Sequence, residues 1–294
     1  MNAPLPAPAT ALTGRRLPAI AQNDPAAISA AIADDGCAFI PGVLSPDLSA
    51  ETCRQIDALS HLDGDGRNHD GKSIDHYKCV FNRDPFWLRF LDQPGIIDAV
   101  ERLLGSNCHI IGMSAWRSPP GVRRQGIHAD QIFLPISEDL LLSGQVVLPV
   151  FIMTLHFYLC DIDESLCPTW VIPGSHKAGR GPRPADPGQR AERQRQLTIA
   201  NSQGGEEETW RGQTAFPVTC NAGDCMLFRS EIWHHGSANT SDRTRYLLQV
   251  HYAQRVVAQR FPPYIEFRHN PVVMAAANER QQRMMGKHTI GAYG

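Results

Sequence analysis

The feature that most constrains this chain is a succession of short, strand-like segments that starts after residue 107. The segments are rich in β-branched and aromatic residues, and Pro- and Gly-containing turns separate them. Many short strands in succession are typical of a β-sandwich or a β-barrel. The seven predicted strands are His109–Trp116, Ile127–Leu134, Val146–Cys160, Thr169–Ile172, Ala215–Thr219, Cys225–Arg229 and Thr244–Ala253. The sequence therefore predicts a mainly β fold.

Helical patterns precede the strands. Asp24-Pro25 and Ser45-Pro46 each combine an N-cap residue with proline at the first helical position, and both open apolar-periodic segments. A third pattern runs from Pro94 to Gly105. Between the second and third patterns, the segment His61–Ser73 is dense in Gly, Asp and Asn, which predicts a mobile loop. We expect the helices to flank the β core.

The pattern suggests one domain with a segment appended at each end and one insertion. Residues 1–23 are rich in Ala and Pro and are predicted to be a disordered leader, since Arg15 and Arg16 follow its apolar part and a secretory signal has the reverse order. Residues 24–258 form the predicted domain, and 259–294 form a C-terminal extension. The polar segment 177–210 is too long for a simple connection and is interpreted as a lid over the substrate, with a disordered insertion as the alternative.

Composition excludes several classes of function. The chain of 294 residues has 28 Lys and Arg against 30 Asp and Glu, so a basic nucleic-acid-binding surface is not expected. The eight cysteines include no C-x-x-C pair, which favours reduced thiols and a cytoplasmic protein. The uncharged stretch between Asp139 and Asp161 contains polar residues and Pro149, so we predict a loop and a central strand buried on both faces, not a membrane span. The expected partner is a small-molecule substrate, and a homodimer is left open.

A metal site is suggested by His128 and Asp130, which would share one face of a strand. The third ligand would come from the pair His234-His235, although a histidine there could also be a capped turn residue. Two imidazoles and one carboxylate leave three octahedral positions open, as Fe(II) oxygenases require, whereas zinc more often takes a third nitrogen or a thiolate. A second H-x-D pattern, His61 to Asp63, lies in the predicted loop and is interpreted as a solvated turn.

Several motifs occur together in an order that is specific in combination. They are Gln125–Asp130, Pro173–Lys177, Asn221–Phe228 and Trp233–Ser241, followed by Arg245. In this order they resemble the phytanoyl-CoA dioxygenase (PhyH) family of Fe(II)/2-oxoglutarate-dependent oxygenases, over roughly residues 35 to 255.

The resemblance implies a double-stranded β-helix, or jelly-roll, core similar to that of cupins. It also implies that His128, Asp130 and His234 bind Fe(II) and that Arg245 holds the distal carboxylate of the cosubstrate 2-oxoglutarate. Family members place Asn five and Arg eleven residues after the last ligand, which matches His234, while a shift to His235 stays open. Family members usually have a tight turn before the segment that matches Pro173–Lys177, and the sequence of this turn is altered here. We therefore expect the adjacent pocket wall to differ from theirs.

Arg245 and two further residues are candidates for binding 2-oxoglutarate. The planar guanidinium of Arg245 can hold a carboxylate through two parallel hydrogen bonds, whereas Arg243 would point to the other face of the strand. His156 lies inside an apolar strand, and Gln125 stands three residues before the first ligand. Either could donate a hydrogen bond to 2-oxoglutarate, and a core histidine and a strand-edge amide are the alternatives.

The predicted reaction is hydroxylation, or another oxidation, of an unactivated C–H bond in a small organic molecule, with O₂ consumed and succinate and CO₂ released. Asp130 is intact, unlike in halogenating relatives, which favours hydroxylation over halogenation. No basic cluster indicates a coenzyme A thioester, so a secondary metabolite or an amino acid derivative is favoured. Candidate pocket walls are Trp116, Phe133, Trp210 and the loop from His61 to Tyr77, and a core position is the alternative for the aromatics and the favoured one for Trp116. The alternative is a non-catalytic or non-oxidative metal-binding jelly-roll protein.

Overall fold

Two antiparallel sheets form the centre of the protein. The computed structural model describes residues 16–66, 73–182 and 209–288, and these contain nine strands. Six strands form one sheet in the order β1-β7-β4-β9-β3-β2, and three form the other in the order β6-β5-β8. The strands are β1 Cys37–Ile40, β2 Asp75–Lys78, β3 His109–Ser118, β4 Ile152–Tyr158, β5 Thr169–Ile172, β6 Phe216–Val218, β7 Cys225–Arg229, β8 Trp233–Gly236 and β9 Arg245–Ala253. The predicted mainly β fold is confirmed.

The three predicted N-terminal helices are also confirmed. They are α1 Pro25–Asp34, α2 Pro46–Asp57 and α3 Ile96–Leu104. The Asp24 side chain accepts a hydrogen bond from the N–H of Ala27 at 2.9 Å, as an N-cap residue does. Later in the described chain come α4 Glu138–Leu142, α5 Pro271–Ala276 and α6 Glu279–Met284, with 3₁₀ turns at Val80–Asn82, Pro85–Phe90, Ser175–Ala178 and Tyr264–Glu266.

The two faces of the larger sheet differ in polarity. Side chains alternate along a strand, so Leu155 and Phe157 of β4 lie in the hydrophobic core with residues of the helices. Thr154 and His156, from the same strand, line a cavity on the opposite face. Strand β4 lies between β7 and β9 and is buried along its whole length, which confirms the predicted central strand. The helices thus cover one face of the sheet, and the other face is available for a site.

The predicted strand Ile127–Leu134 is wrong. In this segment only His128 makes a β-bridge, and Phe133 and Leu134 are each 39% exposed. Both the N–H and the C=O of His128 bond to His234, and the chain then turns so that Asp130 bonds to Ser230. The apolar run therefore leaves the sheet and does not enter the core.

Described residues near both ends of the chain pack against the β core. Residues 1–15 of the predicted leader lie outside the described residues, whereas the N–H of Ile20 donates to the C=O of Phe39 in β1 at 2.9 Å. In the predicted C-terminal extension, Phe261, Val273 and Met284 belong to the hydrophobic core. Most of the predicted lid, residues 183–208, lies outside the described residues, as do residues 67–72 of the predicted loop.

The uncharged stretch between Asp139 and Asp161 comprises part of α4, a loop and strand β4. Among the residues that the structure describes, no helix is both long enough and apolar enough to cross a membrane. All eight cysteines are free.

A glycine in the turn before β7 allows a close approach to the backbone just before α2. Gly223 has a φ of +92°, and a Cβ built there would lie 2.2 Å from the C=O oxygen of Leu44. Gly42 also has a positive φ, +66°, but no atom lies within 4 Å of its Cβ position. Positive φ costs a non-glycine residue roughly 1–2 kcal/mol. An alanine at either position would bear this cost, but only an alanine at Gly223 would also collide with the neighbouring backbone.

We therefore expect Gly223→Ala to lower the free energy of unfolding by at least about 2 kcal/mol more than Gly42→Ala does. Urea denaturation of the two variants measures the difference. Equal losses would show that the backbone at Leu44 moves aside without cost.

Candidate metal and cosubstrate site

The segment that carries His128 and Asp130 lies along β8. Two backbone hydrogen bonds of 2.9 Å join His128 and His234, and Asp130 donates its N–H to Ser230 at 2.9 Å. Gln125 donates its N–H to Gly236, also at 2.9 Å. The segment therefore extends the smaller sheet beyond β8 and brings residues separated by about one hundred positions to the same place.

The three predicted ligands lie together. Asp130 Oδ1 is 3.6 Å from His128 Nε2 and 3.8 Å from His234 Nε2. One ligand atom from each residue lies within 4.8 Å of the others, and no other such group of His, Cys, Asp and Glu occurs in the described chain. His234 is buried, whereas the side chains of His128 and Asp130 are about one third exposed, at 34% and 36%. An ion at this point would have protein on one side and space for ligands on the other.

The hydrogen bonds of the two histidines orient their rings for metal binding. His128 Nδ1 donates to the C=O of Gly126 at 2.8 Å, and His234 Nδ1 donates to the C=O of Ile232 at 3.1 Å. Burial lowers the pKa of His234 to about 4, so its imidazole is neutral at pH 7. A neutral imidazole with Nδ1 protonated presents the Nε2 lone pair, the form in which histidine binds a metal.

His235 faces away from His128 and Asp130. Its Nε2 lies 3.2 Å from Arg124 Nη2, and its ring stacks on Trp170 with the planes 16° apart. Successive residues of β8 point to opposite sides of the sheet, so His234 and His235 cannot both reach the cluster. The other H-x-D pattern forms no cluster, because His61 is paired with Asp75 at 3.1 Å.

Arg245 is a buried cation whose side chain contacts neutral groups. Its Nη2 donates to Thr169 Oγ1 at 3.2 Å, and its Nη1 lies 4.0 Å from Cys167 Sγ. Within the described chain, the buried Nε–H has no hydrogen-bond partner and no carboxylate forms an ion pair with this guanidinium. Arg243 is different: it is exposed and paired with Asp163. Burying a charge without a counter-ion is costly, so Arg245 is prepared for an anionic ligand.

His156 and Gln125 both reach the same cavity as Arg245. His156 is 4% exposed and its Nε2 lies 2.7 Å from Gln249 Nε2, while its Nδ1 is buried without a partner among the described residues. Burial, and then the charge of Arg245, hold the pKa of His156 well below its usual value. Gln125 Oε1 accepts a hydrogen bond from the N–H of Gly236 at 3.1 Å.

The cavity that joins these groups has a volume of about 400 Å³ and is lined by both sheets. Of the candidate wall residues, Trp116 lines it, although a core position was the favoured prediction for this residue, and Phe133 and Trp210 do not line it. Phe133 stacks on Phe151 at the surface, and Trp210 Nε1 bonds to Glu138. Beside the predicted site residues, the polar side chains of the wall are His76, Ser114, Ser118, Arg123, Gln131, Thr154, Thr169, Ser237, Gln249 and His251.

Sequence reasoning missed the strand residues that share a face with Arg245. Leu247, Gln249 and His251 follow it at every second position of β9, and all three line the cavity. This period of two was present in the predicted strand Thr244–Ala253 and could have identified them. Thr169 has no such signal, because its contact with Arg245 depends on how the two sheets pack.

The chain is similar to proteins from bacteria and fungi. It is 24% identical over 212 residues to an uncharacterized protein of Mycobacterium tuberculosis, a match that covers 70% of this chain and 64% of that one. It is 25% identical over 290 residues to the multifunctional dioxygenase prhA of Penicillium brasilianum, covering 92% of this chain and 85% of that one.

Among solved structures, the chain is similar to SnoN, a non-heme α-ketoglutarate-dependent epimerase from nogalamycin biosynthesis. The TM-score is 0.55 with 23% identity, and the match covers 79% of this chain and 84% of SnoN. SnoN has also been crystallised with Fe³⁺, α-ketoglutarate and nogalamycin RO. The likeness confirms the predicted jelly-roll core, here with two sheets that do not close into a barrel. The profile of the phytanoyl-CoA dioxygenase (PhyH) family matches residues 32–247, and the chain belongs to this family.

Proposed function

We propose that the protein is an Fe(II)- and 2-oxoglutarate-dependent dioxygenase that hydroxylates, or otherwise oxidises, a C–H bond of a small molecule. The observation that carries the proposal is one cavity that contains both a two-histidine, one-carboxylate cluster and a buried arginine without a carboxylate partner. The donor set fits Fe(II), because three protein ligands leave positions for a chelating cosubstrate and for O₂. A solved structure of similar fold is an epimerase, so the fold does not determine the outcome at the substrate carbon.

In this proposal His128, Asp130 and His234 hold the iron, and Arg245 pairs with the distal carboxylate of 2-oxoglutarate. Thr169 fixes the guanidinium through the hydrogen bond at 3.2 Å. Iron, when bound, supplies the oxidation of 2-oxoglutarate by O₂ to succinate and CO₂ and the oxidising equivalent for the substrate. The protein binds and orients both molecules and excludes water from the cavity.

His156 and Gln125 complete the cosubstrate pocket. His156 offers a buried N–H donor in the wall that also contains Arg245. The Gln125 carbonyl is engaged by Gly236, which leaves the amide NH₂ as the group that would face a ligand oxygen. Neutral donors of this kind bind a carboxylate without adding a second charge that would have to be desolvated.

The substrate we propose is a polar small molecule, such as a secondary metabolite or an amino acid derivative. His76, Ser114 and His251 lie on the wall built by β2, β3 and β9, where Trp116 is the aromatic surface. Burial lowers the pKa of His76 to about 3 and also lowers that of His251, so both imidazoles are neutral hydrogen-bonding groups at pH 7. Such a wall favours a substrate with several hydrogen-bonding groups over a plain hydrocarbon chain.

Turnover of 2-oxoglutarate without substrate tests the proposal directly. We expect the protein, supplied with Fe(II), ascorbate and O₂, to convert 2-oxoglutarate to succinate, and we expect no succinate above background from His234→Ala. Mass spectrometry of the succinate formed is the measurement. If the parent protein forms no succinate and its metal-loaded form binds no 2-oxoglutarate, the non-oxidative metal-binding alternative replaces this proposal.

A further inference from the structure

A chain of three hydrogen-bonding side chains crosses the wall of the cavity. Trp116 Nε1 lies 2.6 Å from Gln249 Oε1, and Gln249 Nε2 lies 2.7 Å from His156 Nε2. The three residues stand on the adjacent strands β3, β9 and β4, and all face the cavity. Each link joins polar atoms of two neighbouring strands.

The direction of the hydrogen bonds follows from the chemistry of the groups. An indole N–H can only donate, so the atom of Gln249 that it meets must be the carbonyl oxygen. The other end of the amide is then the NH₂ group, which also can only donate. His156 Nε2 must accept this hydrogen bond, and a neutral imidazole that accepts at Nε2 carries its proton on Nδ1.

The proton on His156 Nδ1 has no acceptor within the described ranges of the chain. Nδ1 is buried, and so is the unpartnered Nε–H of Arg245 in the same cavity wall. Arg245 lies close enough to influence the imidazole electrostatically. Two buried donors without acceptors among the described residues, both in the wall of one cavity, are matched by one anionic ligand with several oxygens.

From this geometry we infer that Gln249 is a positioning residue, which acts through His156 by holding the imidazole in the Nδ1–H form that donates to 2-oxoglutarate. The inference rests on the proposed function. Trp116 has the supporting role of fixing which end of the Gln249 amide faces His156. Gln249 itself need not touch the cosubstrate.

The test replaces Gln249 with glutamate, which has nearly the same shape but only acceptor oxygens when ionised. One oxygen can still accept from Trp116, while the other now requires the proton on His156 Nε2. His156 Nδ1 then becomes an acceptor facing the carboxylate. Isothermal titration of 2-oxoglutarate into zinc-loaded protein, which does not turn over, should show a Kd raised at least tenfold in Gln249→Glu.

A spectroscopic measurement reads the tautomer itself. The nitrogen shifts of ¹⁵N-histidine distinguish Nδ1–H from Nε2–H, and comparison with His156→Phe assigns the resonance. We expect Nδ1–H in the zinc-loaded parent and Nε2–H in Gln249→Glu. The matched control is Gln254→Glu: this glutamine bonds to the C=O of Val150 at 2.7 Å and lies outside the cavity, so its variant should leave the Kd within twofold.

A double variant separates positioning from a merely structural effect. Without the imidazole, the glutamate has no tautomer to change, so Gln249→Glu combined with His156→Phe should bind 2-oxoglutarate no more than threefold more weakly than His156→Phe alone. Any one of three results would overturn the inference. They are a further tenfold loss of affinity in the double variant, an Nε2–H tautomer of His156 in the parent, and an unchanged Kd in Gln249→Glu. If the zinc-loaded parent binds no 2-oxoglutarate at all, the proposed function fails with it.

Discussion

Alanine at His128, Asp130 or His234 is expected to abolish oxidation and to raise the Kd for Fe(II) by more than about 100-fold, since changes even to residues behind metal ligands cost 10- to 100-fold. Three ligand atoms within 4.8 Å of one another form the only such group in the described chain. Each ligand removed leaves a site with two donors. Anaerobic titration of Fe(II) into each variant measures the affinity.

The variants at His128 and Asp130 are expected to stay folded. His128 and Asp130 are about one third exposed, at 34% and 36%, and their side chains contribute little to the hydrophobic core. The matched control is His235→Ala, which removes the neighbouring imidazole on the other side of β8, and we expect it to retain Fe(II) binding. If His235→Ala loses Fe(II) and His234→Ala does not, the ligand assignment is wrong by one residue.

Several strands with apolar patterns could be predicted from the sequence, whereas the short apolar strand β1 and the polar strand β2 could not. The boundaries of β5 and β7 were predicted to the residue, and β9 was predicted to within one, because their side chains are largely buried. Strand β2, Asp-His-Tyr-Lys, has no apolar alternation and is held by its partner β3, where His76 stacks on Trp116 at 3.6 Å. Such partners are distant in sequence, so a local pattern cannot reveal them.

The candidate site was easier to predict than the strand that carries it. Motif spacing selected His128, Asp130 and His234, and the structure brings them together, although the segment of His128 makes only one β-bridge. The prediction that aromatic residues line the pocket was less successful, because apolar residues such as Phe133 pack on other aromatic side chains outside the cavity. Residue type alone does not distinguish a cavity wall from a surface cluster.

The second large effect is expected at Arg245. If the guanidinium pairs with the distal carboxylate of 2-oxoglutarate, Arg245→Ala leaves that carboxylate buried and unpaired, which should cost on the order of 2–5 kcal/mol of binding free energy. This corresponds to a Kd for 2-oxoglutarate raised by at least about 30-fold. Arg245→Lys keeps the charge but loses the two-pronged geometry, so we expect its KM for 2-oxoglutarate to lie between those of the parent and the alanine variant.

Arg243 provides the matched control, because it stands two residues earlier and differs in its surroundings. Its side chain is 46% exposed and paired with Asp163, so Arg243→Ala should change 2-oxoglutarate binding by less than about 1 kcal/mol. Titration of 2-oxoglutarate into the zinc-loaded variants compares the two arginines without turnover. An unchanged Kd in Arg245→Ala together with a large loss of affinity in Arg243→Ala would show that the carboxylate of 2-oxoglutarate binds on the other face of the strand. No effect in either variant would mean that the buried guanidinium serves another anion, because its unpartnered Nε–H would still require one.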